Sequence, residues 1–113
     1  MQRKPEILQG TLDLMVLKSL DALGPLHGYG IARRLEQLSA ESLKLNEGTI
    51  YTALVRLMQR GLISAKWGTS ENNRRARYYA ITKSGRRQLE RETRNWEQFV
   101  GTMHRVLQLR KQE

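Results

Sequence analysis

At Gly61 the hydrophobic pattern of this chain changes its period, and that change constrains the fold more than any other feature of the sequence. Before it, Ile50, Leu54, Leu57 and Met58 recur at the spacing of one helical face. After it, Leu62-Ile63-Ser64-Ala65-Lys66-Trp67 and Arg75-Ala76-Arg77-Tyr78-Tyr79-Ala80-Ile81 turn to alternation and are rich in aromatic and branched residues. This predicts two strands joined by the polar residues 68–74. A helix closed by a glycine suited to a left-handed stop, with a hairpin directly behind it, is the unit around which the other segments are arranged.

The helix of residues 46–61 has caps at both ends. Asn46 is a good N-cap, because its side-chain oxygen accepts from free backbone N–H groups, and Glu47 sits where the helix dipole favours an anion. Opposite the apolar face stand Thr49, Tyr51, Thr52, Arg56, Gln59 and Arg60, hydrogen-bonding side chains of medium reach that end in two arginines. That is the equipment of a helix that enters a DNA groove.

Upstream, Thr11 is the expected cap of a helix running to about Leu23, with Gly24-Pro25 as its stop. Leu12, Leu14, Met15, Val16, Leu17, Leu20 and Leu23 cover more than one of its faces, so it needs cover on two sides. Its own core supplies one side; a second subunit or the long C-terminal helix supplies the other. A second helix is expected over residues 29–39, with Ile31, Leu35 and Leu38 inward and Arg33, Arg34 and Glu36 outward. A short extended piece, Leu43-Lys44-Leu45, then leads into the polar-faced helix. This order is a helix-turn-helix behind a support helix. His27 is read as a capping or loop residue, since His104, the other histidine, lies in a distant helix.

Charge narrows the partner. The net charge is +9, and its placement is one-sided. Residues 1–55 hold six basic and six acidic side chains, whereas residues 56–113 hold fourteen basic and five acidic. A one-sided basic excess points to a polyanion, nucleic acid before membrane. Asn72 and Asn73 sit at the hairpin tip, and Arg74, Arg75 and Arg77 in the returning strand suit phosphate contact or an arginine in the minor groove. The 113 residues contain no cysteine, which removes disulfides, thiolate metal sites and a thiol nucleophile. Two distant histidines and scattered carboxylates argue against an enzyme, a metal site or a cofactor. With no apolar signal core at the start and no 18-residue apolar run, a soluble, cytoplasmic protein without membrane contact is expected.

The last element reads as a helix over residues 83–109. Leu89, Thr93, Trp96, Val100, Met103 and Leu107 follow 4-3 spacing, with Phe99 and Val106 widening the stripe. Such a seam wants a partner, by coiled-coil pairing or by packing on the over-apolar first helix of another subunit. The division expected is therefore residues 1–82 for DNA binding and 83–113 for dimerisation. The fold class is α+β, mostly α: a winged helix-turn-helix followed by one long C-terminal dimerisation helix.

Leu26-His27-Gly28-Tyr29-Gly30-Ile31, Gly48-Thr49-Ile50-Tyr51-Thr52-Ala53-Leu54-Val55-Arg56-Leu57, Gly61-Leu62-Ile63, Trp67-Gly68, Arg74-Arg75-Ala76-Arg77-Tyr78-Tyr79 and Ile81-Thr82-Lys83-Ser84-Gly85 together resemble the PadR family of bacterial winged-helix regulators, in its short form. Thr52 stands where many members have proline. The resemblance implies a homodimeric regulator, usually a repressor, on an operator of inverted symmetry, often released by a small molecule. The expected DNA-contacting residues are Tyr29, Lys44, Asn46, Gly48, Thr49, Tyr51, Thr52, Arg56, Asn72, Asn73, Arg74, Arg75 and Arg77. Dimerisation is expected at Leu89, Thr93, Trp96, Phe99, Val100, Met103, Val106 and Leu107. A flat aromatic or phenolic effector is expected at Met15, Trp96 and Val100; the alternative is that Trp96 is simply the largest residue of the dimer interface. An architectural DNA binder or an RNA-binding winged helix is the other reading of the same basic surface.

Overall fold

A computed structural model describes residues 9–43 and 45–112, which places the expected contact Lys44 outside the described residues. The elements in chain order are α1 (Gln9–Leu23), β1 (Leu26–His27), α2 (Gly28–Leu38), α3 (Glu47–Gln59), β2 (Ile63–Thr69), β3 (Arg75–Ile81) and α4 (Lys83–Leu107). The three strands form one antiparallel sheet in the order β1-β3-β2.

α1 begins at Gln9, so Thr11 lies inside the helix and does not cap it. A cap residue is a preference of about 1 kcal/mol and does not oblige a helix to begin there; neither Gln9 nor Gly10 bars the helix from reaching back. The inward side of α1 is buried through Leu12, Val16, Leu17 and Leu20, while Leu14 and Met15 are half-buried against the same core. The expected two-sided cover is thus provided partly within the chain. Gly24, at φ +80°, ends the helix with its N–H bonded to the Leu20 carbonyl at 3.1 Å.

The link after α1 contains a two-residue strand that the pattern did not predict. Leu26 pairs with Tyr79 and His27 with Tyr78, more than 50 residues away in sequence. His27 is also the N-cap of α2, its Nδ1 accepting from the Gly30 N–H at 3.0 Å. Ile31, Ala32 and Leu35 are buried, but Leu38, expected inward, is exposed. It closes the last turn of α2, beyond the reach of the core.

α3 has the cap expected of it: Asn46 Oδ1 accepts from the Thr49 N–H at 2.7 Å. Ile50, Ala53, Leu54 and Leu57 are buried, and Met58 packs at the margin. The helix continues unbroken through Thr52, whose hydroxyl donates back to the Gly48 carbonyl at 2.9 Å. Gly61, at φ +71°, turns the chain out of the helix. Thr82 ties this turn to the next helix: its hydroxyl donates to the Gly61 carbonyl at 2.8 Å and accepts from the Gly85 N–H at 3.0 Å. A Cβ on Gly85 would collide with the Leu62 carbonyl, so the start of α4 is held against the start of β2 at a distance only glycine allows.

β2 runs two residues further than expected, to Thr69, opposite Arg75. The loop is then short and closes on itself, with the Ser70 N–H bonded to the Arg74 carbonyl at 2.7 Å and Asn73 in a left-handed conformation, φ +57°. α4 is 25 residues long, about 37 Å at 1.5 Å per residue. The architecture is a winged helix with a long C-terminal helix.

Candidate nucleic-acid interface

The polar face of α3, the exposed side of α2 and the hairpin together enclose an open cleft of about 970 Å³. Of the expected contacts, Tyr29, Gly48, Tyr51, Asn72, Arg74, Arg75 and Arg77 line it. Asn46, Thr49 and Thr52 are exposed on the same end of α3, and Asn73 is exposed at the hairpin tip. Tyr29 and Tyr51 are largely solvent-exposed although aromatic, so the core does not account for them. Among the described residues, the guanidinium groups of Arg74, Arg75 and Arg77 have no carboxylate partner. Their donors remain available to an anion.

Arg56 corrects the sequence reading. It follows Thr49 and Thr52 along one stripe of α3, at i+7 and i+4, but the stripe is open only at its N-terminal end. Further along, α1 covers it: Arg56 Nη2 bonds Asp13 Oδ1 at 2.8 Å, with the side chains 26% and 10% exposed. Arg56 Nε is buried without a partner among the described residues. The guanidinium therefore joins two helices of the same chain and is not presented with the exposed row. Sequence periodicity placed Arg56 on the right side of the helix and could not see that another helix crosses there.

The cleft also contains residues absent from the expected set. His27 lines it, stacked on Tyr29 at 6.3 Å between ring centroids and edge-on to Tyr78 at 5.5 Å. Arg33 and Arg34 line it as well; Arg33 faces Glu36 at 4.0 Å and Glu41 at 3.8 Å, while Arg34 has no such partner among the described residues. Their outward position was legible from helical spacing, but not the wall of the cleft they form.

A second groove, of about 690 Å³, lies between α1, α2 and α4 and is mostly apolar. It brings Met15 and Trp96 together with Leu14, Leu35, Leu38 and Thr93; Val100 does not line it. The C-terminal stripe itself divides in two. Leu89 is 6% exposed within the core of its own chain and so is not free for a partner, a correction that follows from the close approach of α4 at Gly85. From Trp96, 43% exposed, through Phe99, Val100, Met103, Val106 and Leu107, the apolar side chains are open. Trp96 and Phe99 lean on each other at 5.9 Å. No helix of the described residues is long and apolar enough to cross a membrane.

The chain is 27% identical over 93 residues to an uncharacterised protein, protein X, of Lysinibacillus sphaericus, spanning 82% of this chain and 84% of that one. It superposes on the PadR-like transcriptional regulator of Bacillus cereus with a TM-score of 0.78 at 27% identity, covering 91% of this chain and 97% of the other. A PadR family transcription regulator of hypervirulent Clostridium difficile gives a TM-score of 0.73 at 28% identity, covering 85% and 97%. Residues 16–91 match the Transcriptional regulator PadR-like family, a span that includes α2, α3, the hairpin and the start of α4. With the cleft, the capped α3 and the arginine-bearing hairpin all inside that span, the chain belongs to the PadR-like family of DNA-binding transcriptional regulators, which are not enzymes.

Proposed function

We propose that this regulator works as a homodimer that represses from an operator of inverted symmetry and leaves it when a small molecule binds. The observation that carries the reading is the presence, in one short chain, of an open arginine-lined cleft and an exposed apolar stripe at opposite ends of the sequence pattern. In this reading the N-terminal half of α3 enters the major groove with Asn46, Gly48, Thr49, Tyr51 and Thr52, Tyr29 flanks it at the backbone, and Lys44 adds a further contact. Asn72, Asn73, Arg74, Arg75 and Arg77 then meet phosphates or the minor groove from the wing. Residues 1–82 do the reading and residues 83–113 the pairing.

The stripe from Trp96 to Leu107 buries itself against the same stripe of a second copy, with Thr93 at its inner end, because exposed contiguous apolar surface of this kind marks an interface. A two-fold dimer presents two α3 helices related by the same axis, which is why the operator should be an inverted repeat. The groove holding Met15 and Trp96 suits a flat aromatic or phenolic effector. The working compartment is the one that holds the DNA, the cytoplasm.

Genome-wide footprinting of the purified protein, at fixed salt, tests the reading. A regulator gives discrete sites of inverted symmetry bound at least ~1,000-fold more tightly than bulk DNA. A ratio near one would leave only an architectural binder. In a Trp67→Phe variant, planar cationic or phenolic compounds should quench Trp96 emission and weaken operator binding by the same linkage.

A further inference from the structure

Trp67 is a large aromatic side chain left 56% exposed on a hairpin, and neither the core nor the α4 stripe explains it. Its neighbours do. Trp67 stands opposite Arg77 across the strands, and Thr69 stands opposite Arg75, so residues 67, 69, 75, 77 and 79 project from one face of the hairpin. On that face the Arg75 guanidinium lies over the Trp67 ring, 4.5 Å from its centroid. The Arg77 guanidinium lies over Tyr79 at 5.9 Å. Each arginine leans on an aromatic ring; Arg74, one residue before the strand, leans on none among the described residues.

A guanidinium resting on a ring uses its face and leaves its in-plane N–H donors free. A carboxylate partner would hold it equally still but would occupy those donors and cancel the charge. An arginine without any partner keeps both, at the cost of its rotamer entropy when it is finally held. Stacking on Trp67 removes part of that cost before DNA arrives.

We propose that Trp67 is a positioning residue for DNA binding: it pre-orients Arg75 for the nucleic acid while, among the described residues, every donor of that guanidinium stays unengaged. Arg75 is then the principal wing arginine, Arg77 is held more weakly against the buried Tyr79, and Arg74 acts only through its charge. The inference rests on the operator-binding reading given above.

The test is a double-mutant cycle in operator affinity at fixed salt, with Trp67→Leu, Arg75→Ala and the pair, and Arg74→Ala as comparator. An exposed cation–π contact is equivalent to roughly 2- to 5-fold in affinity, so Trp67→Leu should weaken binding by about that much per wing. Trp67→Phe, which keeps a ring, should lose less than half of the effect on a logarithmic scale. Arg75→Ala should cost more than Arg74→Ala, and should cost less by that same 2- to 5-fold factor when Trp67 is already leucine. A version that keeps every side chain's shape replaces the indoles of both tryptophans by fluorinated ones, which drains the rings' negative faces; Trp96 is altered alike in the Arg75 and Arg75→Ala proteins, so only the contact at Trp67 can make them differ. Affinity should then fall stepwise with fluorination in the Arg75 protein and stay flat in the Arg75→Ala protein. Additive losses at 67 and 75, equal losses for Arg74 and Arg75, or indifference to fluorination in a protein that still binds its operator would overturn the proposal alone. Absence of any preferred DNA for the unaltered protein would bring down the operator reading together with it.

Discussion

α3 and the second half of α4 are both amphipathic helices, yet the chain treats their faces in opposite ways. α3 buries its whole apolar side through Ile50, Ala53, Leu54 and Leu57 and leaves Thr49, Tyr51 and Thr52 open. From Trp96 onward α4 leaves its apolar side open as far as Leu107. The first helix has enough core behind it, because α1, α2 and β2 all pack there. α4 outruns that core after Leu89. The open face of each helix therefore has its own chemistry, polar and cationic in one case and apolar in the other, and conditions that weaken one contact should leave the other alone.

Salt should separate them most widely. If a dimer neutralises about 6 to 10 phosphates, operator affinity should fall roughly 1,000- to 100,000-fold between 50 and 200 mM salt. Sedimentation of the free protein over the same range should show an unchanged dimer. A dimer that dissociates with added salt would erase the contrast between the two faces.

Charging the apolar stripe is the next largest perturbation. Phe99→Asp or Met103→Asp should leave the thermal midpoint of the monomer fold nearly intact, since both side chains are exposed in the single chain. Operator affinity should drop about 100- to 10,000-fold as bivalent binding is lost. Light scattering combined with an operator titration reads both quantities; a monomeric variant with full affinity would detach α4 from DNA recognition.

The Asp13 to Arg56 pair probes the buried end of the α3 stripe. Asp13→Ala leaves a partly buried guanidinium without its partner and should lower stability by about 2 to 3 kcal/mol in a urea titration. Replacing both residues, as Asp13→Leu with Arg56→Met, should recover most of that loss. Base preference at every operator position should be unchanged in the double variant; a change at one position would return Arg56 to the reading surface.

The smallest effect is expected at the cap. Asn46→Ala removes the acceptor of the Thr49 N–H and should cost about 1 kcal/mol of stability. Because Asn46 also stands at the open end of α3, an affinity loss well beyond that stability loss would mean that the side chain touches DNA as well.

Much of this was legible in the chain. The apolar positions of α3, the cap at Asn46, the stop at Gly61 and the β3 segment follow from periods and capping chemistry that act within a few residues. The same rules misjudged Leu38 and Thr11, where the limit of a helix or of the core depends on what lies beyond it. The β1 strand was invisible, because two residues carry no period and their partners are Tyr78 and Tyr79.

By itself, the sequence determined the four helices and the two strands of the hairpin, where α3 begins and ends, which side of it is polar and that the basic excess belongs to the second half of the chain. These are local or additive properties, set by hydrogen bonding and burial along a few turns. Only the tertiary structure decided that Arg56 serves Asp13, that Leu89 belongs to its own core, that Met15 meets Trp96 in one groove and that Arg75 rests on Trp67. Each of those depends on two segments brought together at a particular angle, and a side chain's partner is chosen by that approach and not by the spacing of its neighbours.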